Sequence, residues 1–117
     1  MYKRQVSLRT GFKELTLEED LAKIGTYDVT KSTKYFTDLQ SRIRYEAKTP
    51  QDYQKFEKEM VRVLQSKDAT DDGKKLILQE LSWMGSDLSV PAIKELVSNA
   101  QLKDAAEFAL ARLASGK

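Results

Sequence analysis

The chain has 117 residues, 40% hydrophobic and 32% charged, and no long apolar run, a balance that excludes a largely disordered chain and a transmembrane helix. Its 20 basic and 18 acidic residues are mixed throughout, so there is no basic arm to neutralise phosphate and a nucleic-acid partner is not expected. Cysteine and histidine are absent, which removes disulfides, thiolate nucleophiles, the usual zinc ligands and histidine acid–base catalysis.

Residues 1–15 show no clear period and read as an irregular lead-in. Met1 to Gln5 have no apolar stretch after them, so they do not form a signal peptide. They resemble the translation of a sequencing-adapter end and are read as an assembly artefact of a metagenomic fragment. The compartment is left open, and an exported parent protein is compatible with this start.

The first helix signal is Thr16-Leu17-Glu18-Glu19, with a hydroxyl and a carboxylate at capping-box spacing. That helix runs through Leu21 and Ile24 to Gly25. Asp28 is the expected cap of a second helix, whose Phe36, Leu39 and Ile43 share one face. Thr49-Pro50 opens a third, striped by Tyr53, Phe56, Met60, Val63 and Leu64. Thr70 or Asp71 opens a fourth, which runs to Met84 and stops at Gly85. Ser89-Val90-Pro91 opens a fifth, and Asn99 caps a last one from Leu102 to Leu113. Strand alternation is missing, so the expected class is all-α, with about six short antiparallel helices.

An internal echo occupies the last third. Leu81-Ser82-Trp83-Met84-Gly85 aligns with Leu110-Ala111-Arg112-Leu113-Ala114 at an offset of 29 residues, with the amphipathic stretch from Ser89 to Val97 between them. Leu81 to Gly85, the Val90-Pro91-Ala92-Ile93 entry and Asp104 to Leu110 resemble the first and second helices of HEAT-like repeats. Ala114 departs from the pattern, standing where glycine is expected.

That resemblance implies a right-handed α-α superhelix, a HEAT/ARM-like solenoid, over residues 16–117. It further implies a non-catalytic protein-interaction scaffold within a larger bacterial HEAT-repeat protein, with further repeats of the same chain and a protein partner. Second helices of such pairs line the concave side, which points to Gln54, Lys58, Lys94 and Glu95 as partner-binding residues. Phe108 falls outside the apolar face of the last helix, so it joins that set and suggests truncation before a next repeat. The alternative is a helical accessory segment of a larger exported, carbohydrate-active enzyme whose catalytic domain lies elsewhere.

Catalytic signals are weaker than their structural readings, and no catalytic, cofactor-binding or metal-binding residue is assigned. The acidic clusters at Glu18 to Asp20 and at Asp71-Asp72 suit helix N-termini, where the macrodipole favours negative charge. Glu57 with Glu59 forms a third acidic cluster, and paired acids run glycoside hydrolysis when they face each other across a cleft. Asp68 to Gly73 resembles an acidic calcium loop only faintly and lacks its bidentate glutamate. Trp83, Tyr35, Tyr45 and Tyr53 are expected in the core. Lys75, Gln79 and Ser82 are expected to form the narrow polar strip of the fourth helix. Arg42, Arg44, Lys55, Lys58 and Arg62 alternate with acids and read as a solvated mixed-charge face.

Overall fold

The computed structural model describes residues 16–115, so the lead-in and the artefact reading of Met1 to Gln5 lie outside the described residues. Six α-helices follow in order: α1 (Leu17–Gly25), α2 (Lys34–Glu46), α3 (Pro50–Gln65), α4 (Asp71–Met84), α5 (Val90–Leu96) and α6 (Lys103–Ser115). A single 3₁₀ turn, Asp87–Ser89, leads into α5. The described residues contain no strand, and the chain is all-α there.

Local chemistry fixes most of the helix starts. Thr16 accepts from the Glu19 amide while the Glu19 carboxylate accepts from the Thr16 amide, a complete capping box. Thr49 and Asp52 repeat the arrangement at α3, with Pro50 at the first helical position. Thr70 caps α4 by accepting from the Gly73 amide at 2.9 Å. The start of α2 differs from expectation. It begins at Lys34 behind Thr33, and Asp28 instead closes its own turn by accepting from the Thr30 amide at 2.8 Å. An aspartate two residues before an amide forms that local ring at lower entropic cost than a distant cap.

One apolar core joins the helices. Ile24 from α1, Leu39 and Ile43 from α2, Met60 from α3, Ile77 and Leu81 from α4 and Ile93 from α5 are all buried. Fully burying each such side chain contributes about 1.5–3 kcal/mol. α6 adds a narrow strip of Ala106, Ala109 and Leu113, with Leu102 just ahead of it.

Two junctions set the relative placement of the helices. The first joins α1 to α4: the Thr70 amide donates to the Gly25 carbonyl at 2.6 Å and the Thr70 hydroxyl donates to the Tyr27 carbonyl. Asp72 adds a bond from the Val29 amide at 3.2 Å. The second joins α4 to α6, the most extensively packed pair of helices. Leu113 lies beside the C-terminal end of α4, where a methyl group on Gly85 would meet its Cδ2 at 3.5 Å. Long packing with both C-terminal ends together means that α4 and α6 run in the same direction. Leu113, which the sequence echo aligns with Met84, thus lies beside Gly85.

Candidate functional site

The residues expected to meet a partner are all at the surface. Gln54 and Lys58 are exposed on α3, and Lys94 and Glu95 are exposed on α5. Their helices pack against each other. Phe108 is 57% exposed on α6, with the Arg112 guanidinium 5.7 Å from its ring centre.

Two of the aromatics expected in the core are not there. Trp83 is 46% exposed and Tyr45 66% exposed, whereas Tyr35 and Tyr53 are half-buried against the core. Trp83 lies four residues after Gln79 and eight after Lys75, so helical geometry places it on their solvent strip. Ser82, expected on that strip, is buried and turns its hydroxyl to the Gln79 carbonyl at 2.6 Å. The polar strip of α4 is thus Lys75, Gln79 and Trp83.

Three carboxylates are buried instead. Glu57 of α3 accepts from the Ser86 amide at 2.6 Å, from the Ser86 hydroxyl at 2.8 Å and from the Ser89 hydroxyl. It anchors the loop between α4 and α5, which explains why Ser89 spends its hydroxyl there and makes no cap bond to α5. Glu80 of α4 accepts from the Gln40 amide group at 3.0 Å, and its Oε2 is buried with no hydrogen-bond partner. Asp20 of α1 faces Arg42 of α2 at 3.3 Å. Burial raises the Asp20 pKa above the usual carboxylate value, and the Arg42 hydrogen bond and charge oppose that rise. Helical phase sets Glu57 among core positions, while the serines that satisfy it are not legible in the sequence. Position 57 falls on the stripe of Tyr53, Met60 and Leu64, and positions 20 and 80 each precede a core leucine by one residue.

Two concavities lie along α1 and α3. One cavity of about 370 Å³ is floored by Leu21, Ala22, Gly25, Val63 and Ala69. A second of about 330 Å³ lies against Leu17 and Phe56, and Glu18 lines both. Leu17 lies with Phe56, and Gly25 lies near Val63 and Ala69, so α1 and α3 run side by side in the same direction.

Around this groove stand the carboxylates Glu18, Glu46, Asp52, Glu59 and Asp68 against two cations, Lys55 and Arg62. Glu59 and Arg62 pair at 3.6 Å, Glu46 pairs with Arg42 at 3.4 Å, and Asp52 is engaged as a cap. Among the described residues no three acidic, histidine or cysteine side chains converge to hold a metal. No helix there is long and apolar enough to cross a membrane. Set against models of protein families, against curated proteins and against solved structures, the chain matches none of them.

Proposed function

We propose that this chain is a HEAT-like helical-repeat module that serves as a non-catalytic protein-interaction scaffold. The observation that carries the reading is the same-direction packing of α4 and α6, with Leu113 against Gly85. Helices 29 residues apart that stack side by side, joined through α5, are what a two-helix repeat followed by the first helix of the next would produce. In such an array each unit contacts its neighbours and presents its remaining faces to partners, so α3 and α5 supply the binding surface through Gln54, Lys58, Lys94 and Glu95.

The test is site-specific photocrosslinking in extract from the source cells. A benzophenone side chain at position 58 or at position 94 is expected to capture the same protein, and one at position 75, on the solvent strip of α4, to capture none. Equal capture from both faces, or none at positions 58 and 94, would overturn the assignment of this surface.

A further inference from the structure

We propose that the groove between α1 and α3 is a docking site for a basic amphipathic helix of a partner protein. The inference rests on the scaffold reading only in taking the partner to be a protein, and it names a different surface from the one tested above.

Shape and charge both select this occupant. The floor is apolar, made by Leu21, Ala22, Val63 and Ala69, and it is open at Gly25, which contributes no side chain. Leu17 and Phe56 continue the apolar surface past Glu18. From Leu17 to Gly25 the α1 wall is nine residues long, about 13 Å at the helical rise, which matches two to three turns of a partner helix. An amphipathic helix seats apolar residues at i, i+3, i+4 and i+7 in such a channel.

The rim decides the sign of the flanking residues. Five carboxylates line the two cavities against two cations, on a chain whose net charge is +2. Counting Arg42, which pairs with Glu46, the groove still holds two more carboxylates than cations, against the chain's positive balance. Glu18 and Asp68 have no ion-pair partner among the described residues. Lysines or arginines on either side of the partner's apolar stripe would meet them and steer the approach. A second copy of this chain is disfavoured, because a two-fold contact through the groove would set its carboxylates against their own copies.

The probe is a fluorescein-labelled 14-residue helix with leucine at i, i+3, i+4 and i+7 and lysine at the flanking positions, beside a twin carrying glutamate for lysine. Anisotropy titrations use the full chain. The leucine–lysine peptide is expected to bind saturably and the glutamate twin at least tenfold more weakly. Ala22 is exposed, so Ala22→Trp fills the channel without disturbing the core and should weaken binding tenfold or more. The double substitution Glu18→Gln, Glu59→Gln should weaken it at least threefold with the melting curve unchanged, and Glu107→Gln, exposed on α6, should leave it as it was. Binding that Ala22→Trp leaves intact, equal binding of the glutamate twin, or no binding of the lysine peptide would each overturn the proposal. So would a dimer of the free chain that Ala22→Trp dissolves, since the occupant would then be a second copy. Failure here leaves photocrosslinking at positions 58 and 94 untouched, so the two readings fail separately.

Discussion

Gly73 stands so close to the main chain of Ile24 that a methyl group in its place would lie 2.2 Å from the Ile24 carbonyl oxygen. The first turn of α4 therefore rests on the end of α1 through bare backbone, and Thr70 fastens the same junction with its bonds to Gly25 and Tyr27. A helical glycine replaced by alanine ordinarily gains about 1 kcal/mol. At position 73 the clash reverses the sign, and Gly73→Ala is expected to destabilise the chain by about 1–3 kcal/mol. Gly25 is the internal control. A methyl group there would meet Ala69 and Val63 at 3.8 and 3.9 Å, ordinary contact distances, so Gly25→Ala should stabilise by about 0.5–1 kcal/mol. Urea unfolding of the two variants decides the matter, and a gain from Gly73→Ala would show that α4 does not sit on α1 in this way.

Glu57 gives a second expectation. Its carboxylate is 2% exposed and collects bonds from Ser86 and Ser89, so Glu57→Ala leaves the half-buried Ser86 amide and two hydroxyls without their acceptor. The loss should be about 3 kcal/mol, within the range for breaking buried polar networks. Glu57→Gln keeps one acceptor oxygen, and the serine hydroxyls can rotate to accept from its amide group, so the loss should be roughly half as large. Denaturation midpoints of the two variants should fall in that order. Equal midpoints for parent and Glu57→Ala would mean that the loop between α4 and α5 is not held by this carboxylate.

Much of the fold was readable from residues alone, because the signals were local. Thr16, Thr49 and Thr70 each stand one residue before a helix, and their side chains bond amides only three positions on. What the sequence hid depends on neighbours in space. Glu57 occupies a stripe position that a polar residue enters only when distant serines satisfy it, and Ser86 and Ser89 lie 29 and 32 residues away. Asp28 misled because one aspartate can cap a helix or close a turn, and its bond to Thr30 was the nearer choice. The groove between α1 and α3 was not legible at all. Its walls come from segments on either side of α2, and no motif links Leu21 to Val63.

Trp83 shows how helical phase overrides residue type. Its side chain is 46% exposed on the strip of Lys75 and Gln79, whereas Leu81, two residues earlier, is fully buried. Leu81→Ala is expected to cost about 2–5 kcal/mol, the range for a large-to-small change in a core. Trp83→Ala should cost less than about 1 kcal/mol, as surface substitutions do. Thermal or chemical denaturation separates the two readily. Intrinsic fluorescence of this single tryptophan gives an independent check, since Trp83 should be quenched by added iodide in the native state. A blue-shifted, unquenched emission would place Trp83 in the core.

The Asp20–Arg42 pair makes stability depend on pH in a direction opposite to most carboxylates. Burial raises the folded-state pKa of Asp20 above the ordinary aspartate value of 3.8, and the Arg42 hydrogen bond and charge limit that rise. Between 3.8 and the raised value the native chain holds a proton that the unfolded chain has released. Stability from this group is therefore greatest below pH 3.8, falls as pH rises through that window and is level above it. Asp28 and Asp52 are held below the usual value, by the Thr30 hydroxyl and the Lys48 amide respectively, so their contribution is lost as pH falls. They are the same in parent and variant and cancel in a difference. Asp20→Asn removes the Asp20 effect alone, so the variant should gain on the parent between pH 3.5 and pH 7. Arg42→Gln should do the reverse, costing more at pH 7, where Asp20 is ionised and buried, than at pH 3.5. Melting temperatures of the three chains at the two pH values test both signs. If the Asn variant loses ground on going to pH 7, Asp20 is not a desolvated carboxylate and Arg42 is its dominant influence.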